Sequence, residues 1–91
     1  MAIKKQIKTE LGINAEYWTI GYIEGIANKE GIRVRGRIDG YLDEKAYQEG
    51  NKRIESKSFN YQGKKDFNGD IFEVSYENIL ELEEFKGGTK I

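Results

Sequence analysis

Hydrophobic and polar residues alternate along most of the first 42 positions, and a period of two predicts β-strands. Lysine and glutamine separate Ile3 from Ile7, and aromatic and β-branched residues then dominate the segment AEYWTIGYIEGIA. Arginines occupy every second position at the start of the segment IRVRGRIDGY. The pattern predicts three strands, over about 2–10, 15–27 and 32–42.

The alternation breaks in the segment DEKAYQEG, where Asp43 can cap one short helical turn that Gly50 closes. It resumes at about 52–61, which predicts a fourth strand. Ile54 has an even number and Phe59 an odd one, so a regular strand would point their side chains to opposite faces. Either a bulge lies between them or both faces of the strand are partly covered.

The C-terminal third of the chain changes to a helical period. Asp70 and Glu73 form a capping-box pattern at the start of IFEVSYENILELEEFK, where apolar residues recur at helical spacing. Gly87 stands where a glycine commonly ends a helix. The pattern predicts a helix over about 71–86 and a loose tail over 87–91.

Together these elements predict a single α+β domain over residues 1–91. Its sheet is an antiparallel four-stranded meander, and one C-terminal helix packs on one face. A chain of 91 residues has room for one core, and 37% hydrophobic residues are enough to form it. A second domain is therefore not expected.

The chain contains neither cysteine nor histidine. This excludes disulfides, thiolate or imidazole metal sites, and catalysis with Cys or His as nucleophile or base. The remaining carboxylates, lysines and tyrosines have no recognisable catalytic spacing, so we predict a protein that is not an enzyme and has no cofactor. A net charge of −1 gives no bulk attraction to nucleic acid or anionic lipid. The N-terminus lacks an apolar run long enough for a signal peptide or a membrane span, which predicts a cytosolic protein.

One segment has the spacing of oxygen ligands in a calcium loop. Asp66, Asn68 and Asp70 alternate in DFNGD. The glycine stands one place before Asp70, whereas the motif requires it one place after, where Ile71 stands. We therefore interpret the segment as a turn and a helix cap, and no metal site is predicted.

A hairpin around NKEG sets the register of the second and third strands by placing Asn28 opposite Gly31. Continued along both strands, this register puts an ordinary cross-strand partner opposite each arginine: Glu24 opposite Arg35, Tyr22 opposite Arg37 and Ile26 opposite Arg33. On the other face it sets a glycine opposite almost every branched residue: Gly25 opposite Val34, Gly36 opposite Ile23, Gly21 opposite Ile38 and Gly40 opposite Thr19. Glycines inside strands mark bulges or close approach of another backbone, so we expect the C-terminal helix to pack closely there.

The arginine side of this predicted sheet also carries aromatic and aliphatic residues, a composition typical of protein–protein hot spots. The predicted interface is Trp18, Ile20, Tyr22, Ile26, Arg33, Arg35 and Arg37. A solvated sheet face with scattered apolar residues would have the same composition. Binding of single-stranded nucleic acid is less favoured, because carboxylates lie nearby and the net charge opposes it.

Two segments resemble small proteins encoded by tailed bacteriophages and prophages, often near tail and other virion genes. Residues 40–61, GYLDEKAYQEGNKRIESKSFNY, are similar to the family's strand ending in Tyr-Leu, its acidic turn and its strand ending in Ser-Phe-Asn-aromatic. Residues 75–85, SYENILELEEF, are similar to its C-terminal helix. Leu80 and Glu83 replace the family's usual lysine and proline, so we expect the helix to continue where the family's bends.

The resemblance implies a non-enzymatic structural protein of the virion or tail. Such a protein is present in the host cytoplasm during synthesis, and its partners are other virion proteins or copies of itself. It carries over no catalytic residue. A soluble phage protein that binds a host factor is the first alternative function, and a single-stranded nucleic-acid-binding module is the second.

Overall fold

The computed structural model describes residues 1–63 and 70–91, and Asp66 and Asn68 of the DFNGD segment lie outside these ranges. The regular elements of the described residues are β1 (Ile3–Lys8), β2 (Asn14–Asn28), β3 (Gly31–Tyr41), α1 (Glu44–Gln48), β4 (Glu55–Gly63), α2 (Ile71–Leu80), a 3-10 helix (Glu83–Phe85) and β5 (Thr89–Lys90). The predicted α+β class with a mostly antiparallel sheet is confirmed.

Across the described ranges, five strands form one sheet in the order β4-β3-β2-β1-β5, curled into a half-barrel. The predicted number of four strands is wrong, because β5 pairs antiparallel with β1. The prediction of a loose tail over 87–91 is wrong for the same reason. Gly87 does turn the chain there with a φ of 86°. A strand of two residues has no periodicity by which a sequence pattern could reveal it.

The helical turn predicted at Asp43 is confirmed. Its carboxylate accepts a hydrogen bond from the backbone N–H of Ala46 at 2.7 Å, and Gly50 follows with a φ of 78°. The turn is long enough to form α1, so the prediction of a single helix is wrong in this detail.

The C-terminal helix begins where the sequence indicated but ends earlier. Asp70 caps α2 by accepting from the N–H of Phe72 at 2.8 Å. The helix ends at Leu80, Leu82 is extended, and a 3-10 turn follows, so the expectation of a continuous helix to about residue 86 is wrong. This break accompanies burial of Phe85, whose ring meets Trp18 edge-to-face with 5.2 Å between ring centroids. The acidic residues that follow Leu80 would also oppose the dipole of a longer helix.

The hydrophobic core lies between α2 and the inner face of the sheet, the face that carries Val34 and Ile38. The fully or nearly buried members of this core are Ile3, Ala15, Trp18, Val34, Ile38, Phe59, Tyr76, Ile79 and Phe85. The predicted packing of the C-terminal helix on this face is thus confirmed. Two glycines of β3 make room for aromatic rings from neighbouring strands rather than for the helix. The Trp18 ring covers Gly40, and the Phe59 ring covers Gly36.

A β-bulge at Gly21 changes which side chains of β2 face inward. The register predicted from the hairpin is confirmed from the Asn28–Gly31 pair to the Tyr22–Arg37 pair. Beyond the bulge Ile20 pairs with Ile38, and Trp18 pairs with Gly40. The predicted partners of Ile38 and Gly40, which were Gly21 and Thr19, are therefore wrong. The extra residue shifts the alternation by one, so Trp18 and Ile20 before Gly21 face inward whereas Tyr22 after it faces outward.

Tyr76 of α2 docks against this bulge. The backbone N–H of Ile20 donates to the Tyr76 hydroxyl at 2.8 Å. A bulge leaves a backbone group without its ladder partner, and a buried N–H needs an acceptor. Burial raises the pKa of Tyr76, so the hydroxyl stays neutral over the physiological pH range.

We expect Tyr76→Phe to lower the free energy of unfolding by about 1–3 kcal/mol, because it leaves the Ile20 N–H without an acceptor. Urea denaturation followed by circular dichroism measures the change. Tyr47→Phe is the control, because it removes the hydroxyl of an exposed tyrosine. Equal denaturation midpoints for the two variants would contradict this role of Tyr76.

Candidate functional site

Five of the seven predicted interface residues lie together on the outer face of the sheet, the face that carries Arg33, Arg35 and Arg37. They line an open groove of about 530 Å³, here named the arginine groove. The lining residues are Tyr22, Ile26, Arg33, Arg35, Gly36, Arg37, Ser56, Ser58, Phe59 and Asn60.

The prediction is wrong for the other two residues. Trp18 is completely buried in the core, and Ile20 is half-buried against the same cluster. Both precede the bulge at Gly21, so their side chains point to the inner face. Neither residue is available to a partner that binds the outer face.

Arg37 holds a buried carboxylate at one end of the groove. Its guanidinium donates to both oxygens of Asp39, from Nε at 2.7 Å and from Nη2 at 3.2 Å. The Asp39 side chain is 5% exposed, and Arg53 Nε lies 3.8 Å from the same carboxylate. A buried carboxylate requires such partners, so this arrangement fixes the Arg37 side chain. Asp39 follows the three arginines at the same spacing of two, a signal that sequence reasoning left unused.

Arg35 and Tyr22 both donate to the carboxylate of Glu24. The bond from Tyr22 and then the bond from Arg35 lower the pKa of Glu24, and the same carboxylate raises the pKa of Tyr22. Arg35 and Glu24, which were predicted to face each other across the two strands, do so and form an ion pair. This network ties the Tyr22 hydroxyl to Glu24 on the outer face.

β4 contributes the polar wall of the groove, which sequence reasoning missed. Arg33 Nη2 donates to the side-chain oxygen of Asn60 at 2.9 Å. Ser56 and Ser58 line the groove farther along the same strand. The sequence ESKSFNYQ could have predicted this wall, because serine, asparagine and glutamine occupy every second position there and so share one face of the strand.

Two large apolar side chains remain open to solvent between the arginines. Tyr22 is 49% exposed and Ile26 is 51% exposed. They stand on the face that α2 does not cover. Apolar surface flanked by arginine stems and a polar rim is the arrangement of a protein-binding patch.

No protein-family model, curated protein or solved structure matches the chain. Within residues 1–63 and 70–91, acidic side chains form no cluster of three that could hold a metal ion. None of the helices in these ranges combines the length and the apolar character needed to cross a membrane.

Proposed function

We propose that this protein is a non-enzymatic structural protein of a phage particle, associated with the virion or its tail, and that it assembles with other proteins through the arginine groove. The observation that carries the proposal is the half-exposed pair Tyr22 and Ile26, which lies among three arginines on the sheet face opposite α2. The resemblance to phage-encoded proteins supports the particle as the setting.

The arginines of the groove have hydrogen-bond partners within the chain itself. Each of its three arginines is hydrogen-bonded within the chain, to Asn60, Glu24 and Asp39. Arg37, held by two bonds to the buried Asp39 carboxylate, therefore has less conformational entropy to lose when a partner binds, which favours binding. The same bonds weigh against nucleic acid, because two of the arginines already neutralise carboxylates and have less charge to offer phosphates.

Removing the two apolar side chains should abolish assembly without unfolding the protein. We expect the variant Tyr22→Ala with Ile26→Ser to enter washed particles at least about tenfold less than the unaltered protein, because hot-spot apolar residues each contribute more than about 1 kcal/mol. Mass spectrometry of purified particles measures the amount incorporated.

The control variant is Leu11→Ser with Leu42→Ser, because these leucines are 74% and 50% exposed and lie outside the groove. Circular dichroism should show that both variants fold. Normal incorporation of the groove variant would refute the proposal. Absence of the unaltered protein from washed particles would favour the alternative of a soluble phage protein that binds a host factor.

A further inference from the structure

β4 is an open edge of the sheet. Among the described residues β3 is its only partner, and the pairing runs without interruption from Glu55 to Gly63. Nine consecutive residues thus present one side of an extended backbone to whatever lies beside it. An edge of this length is a template for another strand.

Backbone alternation shows which groups point away from β3. The two-residue hairpin closes with a hydrogen-bonded pair, Asn28–Gly31, so odd-numbered residues of β3 bond to β2 and even-numbered ones bond to β4. The β4 partners of those even-numbered residues are odd-numbered. Ser56, Ser58, Asn60 and Gln62 therefore direct their N–H and C=O groups to the open edge. Consistent with this, the Ser56 N–H donates to the carboxylate of Glu55 at 3.3 Å.

Apart from Glu55, whose carboxylate accepts from the N–H groups of Ser56 and Glu10, the side chains of β4 leave this edge uncovered. Asn60 accepts from Arg33, and Gln62 exchanges hydrogen bonds with Asn28, so both side chains lean back across the sheet. Lys57 reaches Glu84 at 2.9 Å on the inner side. Natural edge strands are commonly protected by proline, a bulge or a projecting lysine. Residues 55–63 contain no proline, and their one lysine is paired within the chain.

We propose that β4 pairs antiparallel with β4 of a second copy of this chain, about a two-fold axis at Phe59. This register uses all nine residues of the strand. It pairs Ser58 with Asn60 and Ser56 with Gln62 on the outer face, and Lys57 with Tyr61, Glu55 with Gly63 and Phe59 with itself on the inner face. No like charges meet, and the edge-directed residues face one another in pairs, with the Ser56 N–H exchanging its bond to Glu55 for one to the second copy.

Leu82 supplies an apolar contact beside this axis. Two hollows of about 500 and 280 Å³ lie between β4 and the segment after α2, and Phe59 and Leu82 line both of them. Leu82 is 44% exposed although it sits next to the residue on the proposed axis. The two-fold brings Leu82 of each copy over the Phe59 pair, which buries apolar surface that a single chain leaves open.

The pairing would make one continuous sheet from two copies, with both arginine grooves on its outer face. It uses backbone groups of the edge, whereas the proposed function rests on the side chains of Tyr22 and Ile26. Ser56, Ser58 and Asn60 of β4 also line the groove, so the variants that test the groove are made at Tyr22 and Ile26 instead. Failure of the edge pairing therefore leaves the proposed function intact, and failure of the groove variants leaves the edge pairing intact.

The first test is the mass of the protein measured by light scattering after size exclusion, over a wide range of concentration. We expect a dimer, at twice the chain mass of 10.5 kDa. Ser58→Pro should give a folded monomer, because proline removes an edge-directed N–H without breaking a bond to β3. Ser58→Ala keeps that N–H and should remain a dimer. A monomer at every concentration, or a Ser58→Pro dimer, would overturn the proposal.

A cross-linking test does not depend on whether the proline variant folds. The natural chain has no cysteine, so Ser58→Cys and Asn60→Cys can be made singly. Their Cα atoms would lie about 5.5 Å apart across the axis, within disulfide range. Oxidation of a mixture of the two variants should form a disulfide-linked heterodimer, whereas neither variant alone should cross-link. Absence of the heterodimer, or equal cross-linking of a single variant, would overturn this register.

Discussion

Replacing Trp18 by alanine is expected to lower the free energy of unfolding by about 3–5 kcal/mol. The indole is completely buried against Phe85, and its N–H donates to the carbonyl oxygens of Lys5 at 3.0 Å and Ala15 at 3.3 Å. Truncation would empty a large volume and leave a buried carbonyl without its donor. The loss is a large share of the roughly 5–15 kcal/mol that stabilises a typical domain. Thermal and urea denaturation measure it.

The matched control is Tyr22→Ala, which truncates an aromatic residue of the same strand beyond the bulge. Tyr22 is half exposed, so its loss should cost less than about 1 kcal/mol. Similar losses in both variants would contradict the assignment of Trp18 to the core and Tyr22 to the surface. The contrast also shows that a Trp18 variant that fails to assemble reports on folding rather than on an interface.

Replacing Gly36 by alanine is expected to lower the free energy of unfolding by about 3 kcal/mol, because the added methyl group has no room. A Cβ at this position would overlap the backbone carbonyl oxygen of Tyr22 and lie 2.9 Å from Cζ of Phe59. The backbone oxygen belongs to the central strand pair and cannot move without disturbing the ladder. The substitution should lower the urea concentration at the midpoint of unfolding strongly.

Gly25→Ala provides a control in the neighbouring strand. A Cβ there would meet Cδ1 of Ile32 at 2.6 Å, which is the end of a flexible side chain. Rotation of that methyl group should relieve the contact, and the reduced entropy of the unfolded chain should offset part of the cost. We expect a change below about 1 kcal/mol. A Gly25→Ala loss as large as that of Gly36→Ala would show that the Tyr22 carbonyl does not decide the effect.

Local patterns predicted the hairpin and the groove well, because these depend on neighbouring residues. The NKEG turn set the register of Tyr22–Asn28 against Gly31–Arg37, and the shared outer face of the five predicted residues that line the groove followed from it. The caps at Asp43 and Asp70 also follow from local chemistry. Each of these features is decided within a few residues of its sequence signal.

The errors arose where tertiary packing decided the outcome. Gly21 is a possible bulge site in the sequence, but Gly25, Gly36 and Gly40 of the same two strands could equally have marked one. Placing the bulge requires knowing that Trp18 must reach Phe85, a residue far along the chain. The same contact accompanies the early end of α2 at Leu80, which helical periodicity alone could not indicate.

The pairing of β5 with β1 also affects how the molecule folds. Ala2 and Ile91 exchange two backbone hydrogen bonds of 2.8 Å, so the first and last parts of the described chain form one ladder. Pairing the two ends closes a loop of nearly the whole chain, which has the largest entropy cost of any contact in the fold. The few hydrogen bonds of a two-residue strand offset only a small part of that cost. This ladder should therefore form last and open first. Its amide protons would then exchange with solvent sooner than those of the β2–β3 hairpin.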